Sequence, residues 1–349
     1  MRHPYADLVA HAAHLLAAAG LDGDKPTVVA ERLVRADAMG HTTHGLALLP
    51  AYLRDIGSGA MTRSGEPAIV VDRPAAVVWD GRRLPGVWLT ARAVDLAVAR
   101  ARDYGTCTVV IRRSHHIAAL AAYLTAATDA GMMVVVASSD PAAAHVAPYG
   151  GKRALFTPDP VAIGIPTEGD PILIDISASI TTAGLAARLT TAGRPLPGVW
   201  ALDGEGRPTD AADVLSTDPR GSLLPIGGID HGHKGYGLAL WIEALTQGLS
   251  GWGRADGEAG WGGAVFVQVF DPELFAGGPA FRRQTEWLAE NCRANPPIDP
   301  EKPVRLPGSK AAAGVARAQA EGLELFPGIL EALVPWAERL GVAALDGRA

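Results

Sequence analysis

Short β-rich runs occupy the middle of this chain, and helical periodicity frames them at both ends. Residues 76–79, 108–111, 133–136, 171–174 and 265–269 are strand-sized and rich in Val and Ile. Helical patterns lie between them over 90–104, 117–131 and 236–249. At the N-terminal end, Leu8, Ala12, Leu15 and Leu16 recur at three- and four-residue spacings. A second helix is expected from Pro26 to Met39, with Pro26 in its first turn and Gly40 just past its end. Helical patterning returns from Phe281 to Leu340 around residues 296–307. The prolines and charges of that stretch disfavour helix, so it reads as an ordered connector lying across another domain. The zoning is that of an α/β protein. Its boundaries divide it into a helical part, 1–65 with 281–349, and an α/β part, 66–280.

Size and charge narrow the function. A chain of 349 residues has ample material for a large core. Its 19% of charged residues, formal net charge of −6 and pI near 5.9 fit a globular enzyme. They leave no basic footprint for nucleic acid or an anionic membrane. Residues 8–20 are rich in Ala and Leu, but His11, His14 and the preceding Asp7 make them an amphipathic helix, not a signal sequence. Cys107 and Cys292 read as reduced thiols, and the protein as cytoplasmic.

The chemistry has to come from histidines that fall in pairs at the ends of expected elements: His41 and His44, His115 and His116, His231 and His233. Imidazole titrates near neutrality and is the usual proton donor or acceptor. His11, His14 and His145 are read as histidines without a catalytic role. The last pair opens the run HGHKGYGLALWIE, residues 231–243. There Lys234 stands among glycines at an expected helix start, a place suited to holding an anion. No phosphate loop of the G-x-x-x-x-G-K-[ST] type occurs, and no G-x-G-x-x-G follows a strand. Two classes of chemistry fit these clusters. One is a metal hydrolase with His41, His44, His231 and His233 as ligands and Asp175 or Asp230 beside them. The other is redox chemistry, with a nicotinamide cofactor as hydride source and a histidine as proton donor. No H-E-x-x-H or other recognised metal array is present.

Several segments, in order along nearly the whole chain, resemble the type 2 malate/L-lactate dehydrogenase family. That family includes ureidoglycolate dehydrogenase, diketogulonate reductase, sulfolactate dehydrogenase and Δ1-piperideine-2-carboxylate reductase. The segments are ADAMGHTTHG at 36–45, VIRRSHH at 110–116, APYGG at 147–151, DISAS at 175–179, LPGVWALD at 196–203, HKGYGLAL at 233–240 and RLPG at 305–308. The resemblance implies a non-Rossmann, mixed-sheet cofactor domain beside a helical domain built from both chain ends. It also implies a homodimer with its active site near the subunit interface. His44 would be the proton donor to a carbonyl or imine, with Thr43 in place of the family's Ser and His116 as a second acid/base candidate. Asp175 joins this catalytic group. Tyr52 would line the pocket. NAD or NADP would be held by Asp175, Ser177, Ala178, Ser179, His233, Lys234 and Gly235, with Pro307 and Gly308 closing over it. The partner is then a small-molecule substrate, without nucleic acid, membrane or metal.

The departures from the family pattern bear on the substrate. Leu48 stands where the family carries an Arg, whose fork to a substrate carboxylate is worth roughly 1.5–3 kcal/mol. Asp140 replaces a Ser, Ser139 an Asn, and the family's GTNP is TPDP at 157–160. The usual acidic residue after the late Pro-Gly is Ser309. Loss of a cation and gain of a carboxylate point to a neutral or cationic substrate, an imine or an amine-bearing carbonyl compound. Two alternatives stand beside this. Arg112, Arg113 or an Arg of the partner subunit replaces the lost fork, or the chain is a catalytically degenerate member.

Overall fold

The computed structural model describes residues 1–257, 260 and 262–345. Among these, seven strands pair into one mixed sheet: β1 (Ala68–Arg73), β2 (Ala76–Asp80), β3 (Thr106–Ser114), β4 (Met133–Ser139), β5 (Pro160–Ile165), β6 (Ile172–Ser177) and β7 (Gly263–Phe270). Their spatial order is β1-β2-β3-β7-β4-β5-β6. Only β2 and β3 run parallel; every other neighbouring pair is antiparallel. The last strand in sequence therefore sits at the centre. Its side chains alternate between two cores, as the period of two requires. Val265, Val267 and Val269 enter one, and Phe266 enters the other.

The first core joins that face to helices from both ends of the chain. It is covered by α1 (Tyr5–Ala18), α2 (Lys25–Ala38), α3 (Leu49–Ser58), α4 (Gly86–Tyr104) and α5 (Ala121–Thr128). Val315, Ile329 and Leu333 of the C-terminal helices complete it. A short antiparallel pairing, Arg2 with Glu324 and His3 with Leu323, ties the two ends together. The second core packs under α6 (Ala183–Thr191), α7 (His233–Glu243) and a small three-stranded sheet. The fold is thus mixed α/β and not doubly wound. Residues 296–307 form neither helix nor strand, and Leu173 of β6 donates its amide to Pro307 O at 3.1 Å.

Three helix boundaries differ from expectation, each for a local reason. α4 begins at Gly86 instead of residue 90, directly after Pro85 at its N-cap, and Gly86 packs where a Cβ would collide with the carbonyl of His115. The pattern over 117–131 yields a helix only from Ala121 to Thr128. Residues 117–120 stay irregular, with Ala118 in the left-handed region at φ 58°. α7 starts at His233 instead of Tyr236, which puts His233, Lys234 and Gly235 in its first turn. A π-helical stretch, Ala244–Gly248, follows it.

Candidate active site

A cavity of about 480 Å³ opens between the loop that joins α2 to α3, the irregular segment before α5, the ends of β4 and β6, and the start of α6. Thr43, His44 and Leu48 enter from the first of these. That loop is tied down at several points. Asp37 on α2 accepts the amide of Leu46 at 2.7 Å, and Arg188 on α6 donates to Thr42 Oγ1 at 2.8 Å and to Thr42 O at 2.5 Å. Thr43 Oγ1 lies 2.8 Å from His44 Nδ1. Burial, then the charges of His41 and Arg188, lower His44 to about 4, so its imidazole is neutral at pH 7.

His116 faces His44 with ring centroids 6.0 Å apart and planes inclined by 25°. Burial, and next His44 and His115, hold His116 well below the ordinary histidine range. Tyr52 does not line the cavity. It is fully buried behind His116, with its hydroxyl 2.9 Å from His116 Nδ1. His115 points away, its Nε2 3.1 Å from Asp55 Oδ2 in the core.

Asp175 reaches the cavity from β6. It accepts the Ala121 amide at 2.8 Å and lies 3.9 Å from His41 Nε2; burial raises its carboxyl despite both. Asp140, at the end of β4, accepts from the amides of Ala142 at 2.9 Å and Gly262 at 3.4 Å. Burial raises it too. Among the described residues that line the cavity there is no Lys or Arg. Arg112 is turned away from it: Asp80 stands opposite Arg112 in the β2–β3 ladder, and its carboxylate takes Arg112 Nε at 3.2 Å together with the guanidinium of Arg113.

Of the expected cofactor residues, Asp175 apart, only Ser177 lines the cavity; Ala178 and Ser179 are buried beside it. Ala178 accepts the Ile226 amide at 2.8 Å, and Ile226 accepts the Gly235 amide at 3.1 Å, so the first turn of α7 lies directly behind this segment. Ser179 Oγ bonds Thr181 O at 2.6 Å. His233 and Lys234 are exposed at that helix start, outside the cavity lining, and the His233 ring stacks edge-on to Tyr149. Gly308, at φ 91°, packs against Leu173 on β6. Thr182, Ala183 and Gly184 bring the N-terminus of α6 into the cavity, a position that favours anionic groups. Behind Ala178, only a glycine fits at position 235. Among the described residues, no three His, Cys, Asp or Glu side chains converge to hold a metal ion.

A sequence model of the malate/L-lactate dehydrogenase family matches residues 3–334. The chain belongs to this family. An L-lactate dehydrogenase of Cupriavidus necator is 31% identical over 339 residues, 94% of this chain and 95% of that protein. A (2R)-3-sulfolactate dehydrogenase (NADP(+)) of Chromohalobacter salexigens is 33% identical over 332 residues, 92% of this chain and 94% of that one. Among solved structures, malate dehydrogenase from Entamoeba histolytica superposes with a TM-score of 0.92 at 21% identity, covering 99% of both chains. Δ1-piperideine-2-carboxylate reductase from Pseudomonas syringae superposes with 0.84 at 27% identity, covering 97% of this chain and 100% of that one. Membership of the malate/L-lactate dehydrogenase family places the chain among NAD(P)-dependent dehydrogenases acting on small molecules. No helix of the described residues is long and apolar enough to cross a membrane.

Sequence reasoning missed two residues at this site. His145, read as having no catalytic role, lines the cavity with Arg220 3.0 Å from its Nδ1. It arrives there through the isolated bridges of Val146 to Phe156 and Leu223, which no local pattern announces. Arg188, which anchors the His44 loop, carries no motif signal at all.

Proposed function

We propose that this chain is an NAD(P)H-dependent oxidoreductase whose His44 moves the proton, acting on a neutral or cationic carbonyl or imine substrate. The observation that carries this reading is a cavity lined by four imidazoles, His44 and His116 facing each other among them, and by the carboxyls of Asp140 and Asp175, with Leu48 where a cationic fork would stand and no Lys or Arg in its described lining. A bound nicotinamide supplies or accepts the hydride. Thr43 orients His44, which gives a proton to the reduced oxygen or nitrogen or takes one in the reverse direction. Leu48, Ile117 and Leu120 provide apolar wall that excludes water from the reacting centre. Commitment of Arg112 and Arg113 to Asp80 argues against either as a replacement fork.

We also infer a homodimer. What supports this is that Leu240, Trp241 and Leu249, on α7 and the turn beyond it, are each about half exposed.

The test is separate titration with NADH and NADPH, followed by a screen of 2-oxo acids against cyclic imines and amine-bearing carbonyl compounds. Binding of one dinucleotide, and preference for an imine or amine-bearing compound over pyruvate by about tenfold or more, is the expected result. Absence of dinucleotide binding would end the oxidoreductase reading. Efficient turnover of pyruvate or malate would end only the substrate reading.

A further inference from the structure

The edge of His116 that carries Nδ1 is met by donors. The Ala118 amide is directed at Nδ1 from 3.2 Å and also reaches the phenol oxygen of Tyr52, whose hydroxyl lies 2.9 Å from the same nitrogen and so has its own proton left for it. A peptide N–H can only donate, so Nδ1 must offer its lone pair, and in a neutral imidazole the proton then sits on Nε2. The backbone here is unusual as well: Ala118 adopts φ 58°, a conformation costly for any residue with a Cβ, immediately after the amide that meets the ring. Tyr52 is held fully buried on α3, so its hydroxyl cannot swing out to water. The other acceptor near that hydroxyl, the carbonyl of His116, is farther away at 3.4 Å.

We propose that His116 is locked as the neutral Nε2–H tautomer and acts as a fixed hydrogen-bond donor to the reacting oxygen or nitrogen, while His44 alone exchanges the proton. Ala118 and Tyr52 are then positioning residues for this donor. In reduction, hydride supplied by a bound dinucleotide would reach the carbon of the C=O or C=N bond, with the bond's electron pair moving to the heteroatom. That atom takes its proton from His44. His116 bonds it throughout and returns to its starting state without losing or gaining a proton. As a base, His116 would need a bare Nε2. As an acid it would become an imidazolate, or would first have to bind a proton at Nδ1 against the Ala118 amide. The assignment rests on the oxidoreductase reading above, but its decisive measurement does not.

That measurement is nitrogen NMR of the full-length chain labelled at histidine, with the His116 signals assigned by their loss in His116→Gln. We expect a bare Nδ1 and a protonated Nε2, unchanged between about pH 5 and 8. A protonated Nδ1, or an imidazolium that titrates in this window, overturns the proposal whether or not the protein proves to be a dehydrogenase. Turnover supplies a second arm. His116→Gln keeps an N–H donor near the Nε2 position but cannot carry a proton, so it should retain kcat/KM within about tenfold, whereas His116→Leu should lose about a hundredfold or more. Equal loss in both variants, with disappearance of a limb of the pH profile, would overturn the donor role. Tyr52→Phe should lower kcat with little change in KM, and a variant with unaltered kcat would remove Tyr52 from the arrangement.

Discussion

The carboxyl of Asp37 accepts the Leu46 amide at 2.7 Å and occupies the space where a Cβ on Gly45 would have to lie. It thereby fixes the loop that presents His44. Burial pushes this acid up to about 7, against the Leu46 hydrogen bond and the charge of Arg188. The folded chain then holds a proton that the unfolded chain has already released. Between about pH 4 and 7 stability must fall as pH rises, by roughly 4 kcal/mol at most. Asp37→Asn keeps an acceptor for Leu46 and has no charge to bury. Its stability relative to the native chain, from urea unfolding, should rise steadily across that window and level off above it. A difference independent of pH would contradict the assignment.

His44 is held near 4 by burial, then by His41 and Arg188. It is therefore available as a base at neutral pH. With a dinucleotide acceptor, kcat/KM for oxidation should be flat from neutrality down to about pH 5 and fall about tenfold per unit below about pH 4. Reduction, which needs the protonated form, should instead speed up as pH falls toward that value. Arg188→Met removes a nearby positive charge, so both limbs should move to higher pH; limbs that stay in place would exclude the charge as a cause.

Gly235 marks the closest approach of α7 to the expected cofactor segment. A Cβ there would collide with the Ile226 amide and fall 2.6 Å from Ala178 O, in the middle of the bonds joining the two. Gly235→Ala should weaken dinucleotide binding by about tenfold or more, read by fluorescence titration. Gly237, two residues on, has nothing within 4 Å of such a Cβ, and Gly237→Ala should leave affinity unchanged and add slight helix stability. Loss of affinity in both variants would mean that the helix start, and not this one contact, governs binding.

What could be read from residues was what local physics determines. Val- and Ile-rich runs located five of the seven strands of the main sheet because period and branching are local properties, but Ala68–Arg73 and Pro160–Ile165 went unread; the ADAMGHTTHG segment located His44, with Leu48 three residues past its end. Register is not local. Nothing in residues 265–269 says that they will lie between β3 and β4, strands more than a hundred residues earlier. The same limitation explains Arg112. Its place just before the paired histidines suggested the pocket, but the parallel ladder sets it opposite Asp80, whose buried carboxylate claims it. Ala118 is a third case. An alanine in an apolar run predicts helix, and nothing local announces the left-handed conformation it adopts beside His116. Breaking the Asp80 cluster should be costly: Asp80→Ala removes a buried carboxylate that two part-exposed guanidinium groups share and should destabilise the fold by about 1–2 kcal/mol, while Arg112→Ala leaves substrate KM unchanged. A raised KM in Arg112→Ala would restore that residue to the substrate site.

Leu48 is where the identity of the substrate can be tested most directly. It lines the cavity at the end of the single 3-10 turn leading into α3, on the same loop as His44. An Arg introduced there would bring the first cation into the described lining, facing a cavity that already holds two carboxyl groups. If the site lacks only this fork, Leu48→Arg should raise kcat/KM for 2-oxo acids by about 10- to 100-fold, the equivalent of roughly 1.5–3 kcal/mol. The gain should come mainly through KM, since the carboxylate is bound alike in ground and transition states. Activity toward a cationic or neutral imine should fall in the same variant through charge repulsion or lost apolar wall. The new guanidinium could instead pair with Asp140 or Asp175. That outcome has its own signature, a higher melting temperature with no gain on oxo acids, and it would show that the carboxyls dominate the pocket. A native chain that already favours oxo acids, and a variant no better with them, would show that carboxylate recognition never depended on this position.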